Sequence, residues 1–317
     1  MSEQGTITAF APASIGNLGV GFDMLGLALS GVGDRVSARR VEQTGVTIAE
    51  VRGLDGEIHP FLSNSAVENT ASIAAKSLWD HAGVDGGVEL TVHKGVPLQS
   101  GMGSSAASAV AAVVAVNALL PQSLRRSELL VHALEGEKLA SGGLHADNVA
   151  PSLLGGLVLC PASLLPRTIS LDVPTGISSV LLHPEIQIST AESRRSLARG
   201  YSMDQWLEQQ GYLAAFVVAC EKNDHALIRS TLRDVVIEPQ RAAAVPCFTG
   251  VKDAAMAAGA YGCSLSGSGP SIFALCADAE AANIVIAMEQ RSRAFGYQCQ
   301  TWVGDMKAPG AFVEDAT

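Results

Sequence analysis

The sequence predicts an α+β fold in two domains, residues 1–160 and 161–317. Three observations carry this. Strand-like alternation and helix-like periodicity are mixed without a regular βαβ repeat. A chain of 317 residues, 48% of them hydrophobic, is long and apolar enough for two cores. A proline-rich stretch at 161–174 marks the boundary between them.

In the first domain, residues 6–11, 35–41, 46–51 and 88–94 alternate apolar and polar side chains and predict strands. Residues 69–81 and 105–120 predict helices, Ser127 predicts the cap of another running to Leu139, and 155–160 reads as a buried strand. In the second domain a strand at 178–183 precedes helices near 203–220, 225–233 and 251–258. A hairpin-like stretch at 262–276, a helix at 278–293 and a strand at 298–303 follow, with no internal repeat or low-complexity tract.

The net charge of −10 argues against a nucleic-acid or anionic-membrane surface and leaves room only for a small basic pocket. The N-terminal residues lack a basic region followed by an apolar core, so no signal peptide is expected. The best apolar run, 106–120, is interrupted by Ser108 and Asn117, closed by Pro121 and too short to span a bilayer; it reads as a buried helix. Six cysteines without a C-x-x-C pair fit reduced thiols, hence a cytoplasmic protein.

The most informative motif is Val96-Pro97-Leu98-Gln99-Ser100-Gly101-Met102-Gly103-Ser104-Ser105-Ala106-Ala107, a glycine-rich loop directly before a long Ala/Val helix. Glycines let backbone N–H groups approach an anion, and a helix N-terminus favours phosphate. The serines add an N-cap hydroxyl and a metal-facing hydroxyl. It is neither a Walker A loop nor a Rossmann fingerprint, and a plain connector would look similar. On the next helix Leu130, Ala133 and Leu134 form an apolar stripe, and Glu137 falls on the same face. An inward carboxylate calls for a partner, either a magnesium shared with a serine and phosphate oxygens, or a buried ion pair. Residues 11–26 are dense in glycine, with Asn17 and Asp23 as their strongly polar groups. The segment Gly142-Gly143-Leu144-His145-Ala146-Asp147-Asn148 and the glycine turn at 264–271 complete the set, the latter able to face the first loop.

Together, segments 11–26, 97–107 and 264–271 resemble the three motifs of the GHMP kinases. Within that family the chain is most similar to the branch acting on L-homoserine. The matching segments are 13–23, His145-Ala146-Asp147-Asn148-Val149-Ala150-Pro151, Ser189-Thr190-Ala191-Glu192-Ser193-Arg194 and Glu238-Pro239-Gln240-Arg241, in order along the whole chain. Met102 stands where the family usually has Leu, a volume-conserving change.

The resemblance implies an N-terminal ribosomal-protein-like α/β domain with a left-handed βαβ unit, a C-terminal ferredoxin-like domain, and ATP in the cleft between them. It implies that residues 97–107 hold the ATP phosphates, that Ser104 and Glu137 hold Mg²⁺, and that Asn69 lines the adenine pocket. Asn17, Asp23, His145, Asn148, Thr190, Arg194 and Arg241 fall where the family holds its amino acid. Asp23 suits an ammonium, the arginines a carboxylate, and Asn148 the hydroxyl. Asp147 is a candidate for the base that removes the hydroxyl proton, the alternative being transfer to the γ-phosphate itself. The implied reaction is phosphorylation of L-homoserine toward threonine. A mevalonate- or sugar-type kinase, or a non-catalytic relative, are the other readings, and a homodimer is compatible with all of them.

Overall fold

The computed structural model describes residues 5–141, 143, 145–198 and 200–315; Met1 to Gln4, and Gly142 and Leu144 of the fourth motif, lie outside the described residues. The first sheet is built from β1 (Ile7–Gly16), β2 (Leu25–Val41), β3 (Gly45–Arg52) and β4 (Gly87–His93), with α1 (Thr70–Ala82) between the last two. After it come α2 (Ser104–Leu119), α3 (Arg126–Ser141), α4 (Val149–Leu154), β5 (Leu157–Leu159) and β6 (Ile169–Leu171). The second half carries β7 (Ile177–Pro184), α5 (Thr190–Arg195), α6 (Met203–Glu221), α7 (His225–Thr231), α8 (Glu238–Arg241) and α9 (Phe248–Ala257). It closes with β8 (Gly262–Leu265), β9 (Ile272–Ala277), α10 (Ala281–Ala294), β10 (Cys299–Asp305) and β11 (Phe312–Val313).

In the first sheet β1 pairs with β2, and β2 with β4, antiparallel, whereas β3 and β4 are parallel and joined through α1. That is the βαβ unit to which the resemblance assigns a left hand. The second sheet has the order β10-β7-β9-β8 with every pair antiparallel. A β-α-β-β-α-β chain threaded in that order is the ferredoxin-like arrangement.

Several boundaries differ from the sequence expectation, each for a local reason. Residues 25–34, which show no clean alternation, join 35–41 in one 17-residue strand because their two ends pair with different partners, β5 and β4. Ser127 is not the cap of α3: the helix starts at Arg126, and the Glu128 carboxylate accepts the Arg125 backbone N–H instead. The proline-rich stretch still carries β6, which pairs with β5, and β11 returns from the far end of the chain to pair with β1.

Helix α2 is the centre of the first half. Its alanines and valines are buried on nearly every side, so it packs against sheet and helices at once. One apolar cluster lies between the first sheet and α1–α3. A second, with Ile15, Leu27 and Met102 beside Leu181, Phe216 and Phe273, joins the two halves across the cleft. Among the described residues no helix is long and apolar enough to cross a membrane.

Candidate active site

Three turns converge between the halves. Gly103 is the N-cap of α2, in the left-handed region at φ 68°, and a Cβ there would lie 2.4 Å from Ser14 Oγ. Only glycine meets both conditions. The Ser14 N–H donates to the Met102 carbonyl (3.0 Å), Ser271 N–H to the Ser100 carbonyl (3.1 Å), and Ser266 Oγ to the Gly101 carbonyl (2.7 Å). The expectation that the 264–271 turn faces the glycine-rich loop at 97–107 is met by these bonds, and Gly267 N–H to the Gly16 carbonyl (3.0 Å) ties in the first motif.

Glu137 reaches this loop because α3 lies very close to the start of α1. A Cβ on the neighbouring Gly136 would sit 2.4 Å from the Thr70 carbonyl oxygen, so a larger residue would push the helix, and Glu137 with it, away. The Glu137 side chain is buried, and Ser105 Oγ donates to its Oε2 at 2.7 Å. Ser104 is turned elsewhere: its hydroxyl donates to the Val96 carbonyl at 3.0 Å. The serine placed beside the carboxylate is therefore Ser105, not Ser104, because the helix rotation that buries Ser104 brings Ser105 round to α3. A buried carboxylate beside a hydroxyl at a helix N-terminus offers hard oxygen donors, which fit Mg²⁺.

A cavity of about 380 Å³ lies over the loop. Of the expected residues, Asn69, Leu98, Gln99, Ser100, Gly101, Gly103, Ser104, Ser105, Glu137, Asn148 and Thr190 line it. Asn69 caps α1 through its Oδ1, which accepts the Ala71 N–H at 3.0 Å. Met102, Ala106 and Ala107 have side chains buried in the cores, so only their backbone could serve a ligand. Pro97 belongs to a neighbouring cavity of about 630 Å³, on the other side of Leu98.

The remaining expected residues form a second cluster beside the first. Arg194 donates to Asp23 through both terminal nitrogens, at 2.9 and 2.7 Å, and His145 Nδ1 lies 3.6 Å from the same carboxylate. Burial, with Arg194 adding to it, holds the His145 pKa below its usual value despite Asp23. Arg194 and Arg241 both stack on Phe22, at 5.4 and 5.1 Å. Arg241 is 5% exposed, donates to the Gly267 carbonyl at 2.7 Å, and has no carboxylate within ion-pair distance among the described residues; its Nε is buried without a partner. Burial pulls its pKa down, and the charge of Arg194 adds to that. A desolvated guanidinium in this state favours an anionic ligand. Asn17 Nδ2 also donates to the Gly267 carbonyl (3.1 Å), while its Oδ1 accepts the Asp23 N–H (3.0 Å). Gly267, which lines the cavity, thus connects the two clusters.

Two family models match the chain, GHMP kinases N terminal domain over residues 69–156 and GHMP kinases C terminal over residues 216–290. A homoserine kinase of Xylella fastidiosa is 43% identical over 96% of this chain and 92% of its own. The chain belongs to the homoserine kinase family of GHMP kinases. A homoserine kinase of Chlorobium phaeobacteroides is 39% identical over 97% of this chain and 99% of its own. The crystal structure of homoserine kinase from Cytophaga hutchinsonii superposes with a TM-score of 0.93 at 38% identity, covering 99% of each chain. Mevalonate kinase from Methanococcus jannaschii shares the fold alone, at a TM-score of 0.69 and 12% identity over 95% of this chain and 98% of its own.

In this member of the GHMP kinases Asp147 does not line the cavity. Its carboxylate is buried, accepts backbone N–H groups including that of Asn17, and sits where a Cβ on Gly16 would come within 2.7 Å of its Oδ2. Burial, then the nearby Asp23 charge, raises its pKa to about 7. It supports the Asn17 turn, whereas its neighbour Asn148 faces the cavity. Sequence reasoning missed Phe22, the shelf for both arginines, and the buried pair of Asp34 and Lys94. Phe22 stands between Gly21 and Asp23 in a quoted motif, and an aromatic in a glycine-dense polar segment is the available signal. Asp34 lay just outside the expected strand and carried none.

Proposed function

We propose that the protein transfers the γ-phosphate of ATP to the side-chain hydroxyl of L-homoserine, giving O-phospho-L-homoserine and ADP on the way to threonine. The observation that carries this reading is the cluster of Asp23, Arg194 and Arg241 beside the phosphate-loop cavity. These are the charges that complement an amino-acid zwitterion, which a mevalonate or sugar substrate would leave unmatched. Asp23 takes the ammonium, Arg194 and Arg241 take the carboxylate, and the Asp23–Arg194 ion pair exchanges for two pairs with the substrate. Asn148 orients the hydroxyl toward the γ-phosphorus. The loop amides of 99–105 and the N-terminus of α2 hold the phosphates.

Glu137 and Ser105 would hold Mg²⁺, which when bound neutralises charge developing on the phosphoryl oxygens. The hydroxyl oxygen bonds to the γ-phosphorus as the bridge to the β-phosphate breaks and ADP leaves. Its proton passes to a phosphoryl oxygen, because Asp147 is held behind the Asn17 turn. Six free cysteines, five of them buried, support a reducing, cytoplasmic setting.

Coupled ADP-release assays over a panel of amino acids, mevalonate and sugars test the reading. Mg²⁺-dependent turnover with L-homoserine is expected; turnover of mevalonate or a sugar with none on homoserine overturns it. A second measurement addresses Asp147. A general base with a pKa of about 7 gains its active, deprotonated form as pH rises, so kcat/KM would climb through about pH 7 and Asp147→Asn would cost about 10²–10⁴-fold. The expected result is a loss below about tenfold and the same pH profile in both proteins. A climb through pH 7 that the variant abolishes would restore Asp147 as the base.

A further inference from the structure

We propose that Asp34 and Lys94, buried behind the phosphate loop, are positioning residues that hold its two ends at the spacing the nucleotide phosphates require. The proposal rests on reading residues 97–107 as the phosphate loop. Asp34 is fully buried on β2, and four donors converge on its carboxylate. Oδ1 accepts the N–H groups of Gly95 (2.8 Å) and Val96 (3.0 Å), where the loop begins; Oδ2 accepts Ser108 Oγ (2.6 Å) and Lys94 Nζ. Lys94 Nζ in turn donates to the Ser104 carbonyl (2.8 Å) and to Ser108 Oγ (2.8 Å), where the loop enters α2. One ion pair therefore grips both ends of the loop.

Two physical arguments separate this arrangement from ordinary core packing. An ammonium at a helix N-terminus opposes the helix dipole, so its placement there does not serve α2 by itself. It does suit a site that receives anions: Lys94 lines the cavity over the loop and the one beside it, while Asp34 lines neither. Moreover, buried ion pairs contribute little net stability, and apolar residues often replace them without loss. What an apolar pair could not reproduce is the set of bonds to Gly95, Val96, Ser104 and Ser108.

The test compares wild type with Lys94→Met, with the double variant Asp34→Asn/Lys94→Met, and with Ser108→Ala. Calorimetry measures Mg·ADP affinity, kinetics give KM for ATP and for homoserine, and thermal unfolding reports Tm. Lys94→Met should weaken ADP binding about 10- to 100-fold and leave the homoserine KM within about twofold, since the removed bonds reach Asp34, Ser104 and Ser108 and none of the Asp23, Arg194 and Arg241 cluster. The double variant removes the unpaired charge, so Tm should return close to the wild-type value while ADP stays about tenfold weaker. Ser108→Ala is the milder probe that decides the matter if the lysine variants do not fold; about threefold weaker ADP with an unchanged homoserine KM is expected. A folded double variant, or in its absence Ser108→Ala, that binds ADP as wild type does would overturn the proposal. So would a homoserine KM that worsens as much as ADP affinity. Absence of ADP binding by wild type would instead refute the reading of the loop.

Discussion

Glu137→Gln lowers kcat by about a hundredfold or more, the expected consequence of weakening the ion that stabilises charge on the transferring phosphoryl group. The substitution preserves shape. A glutamine amide oxygen still accepts the Ser105 hydroxyl now bonded to Oε2, so the packing of α3 against α2 survives and Tm changes little. The loss should appear in kcat at saturating ATP, with homoserine affinity nearly unchanged. Raising Mg²⁺ should recover part of the activity if the carboxylate is a ligand. Near wild-type activity at ordinary Mg²⁺ and ATP would remove Glu137 from the metal site and leave it a structural residue that accepts the Ser105 hydroxyl.

Arg194→Leu and Arg241→Leu should each lower kcat/KM for homoserine about 30- to 1,000-fold, or about 2–4 kcal/mol, as expected when a desolvated charge-assisted bond to a carboxylate is lost. Affinity for ADP measured without homoserine should stay nearly the same, because neither arginine lines the cavity over the phosphate loop. The two variants differ in what they leave behind. Removing Arg194 frees Asp23 from its bidentate partner, whereas removing Arg241 costs the bond to the Gly267 carbonyl and one of the two guanidinium groups over Phe22. The amino alcohol that lacks only the carboxylate is the control. Wild type should use it poorly, and the variants should lose little further activity on it. An equal fall on both compounds would show that the arginines support the fold and do not read the carboxylate.

Many of the residues that line the candidate site were legible in the sequence, because they stand in short glycine-rich or polar segments. The glycines at 101 and 103 announced a backbone conformation, and Glu137 announced itself by standing on an apolar helix face. The proline-rich stretch read as the domain boundary carries β6, which pairs into the first sheet. Less legible were the strand boundaries, since β2 changes partner along its length and its inner half faces different neighbours from its outer half. The expectation that Ser104 stands beside Glu137 differs from the structure for a similar reason: adjacent helix residues point about 100° apart, and sequence spacing cannot say which of two serines faces α3.

The sequence by itself determined the α+β class, the glycine-rich turn before α2, the inward carboxylate of α3 and the family, all of which reside in local periodicity and ordered motifs. Only the tertiary structure decided that Ser105 meets Glu137, that Asp147 lies behind the Asn17 turn, that Phe22 carries both arginines, and that Asp34 grips a loop 61 residues away at Gly95. Those relations depend on helix rotation and on pairing between distant strands. Packing sets both, at close approaches such as Gly136 against the start of α1.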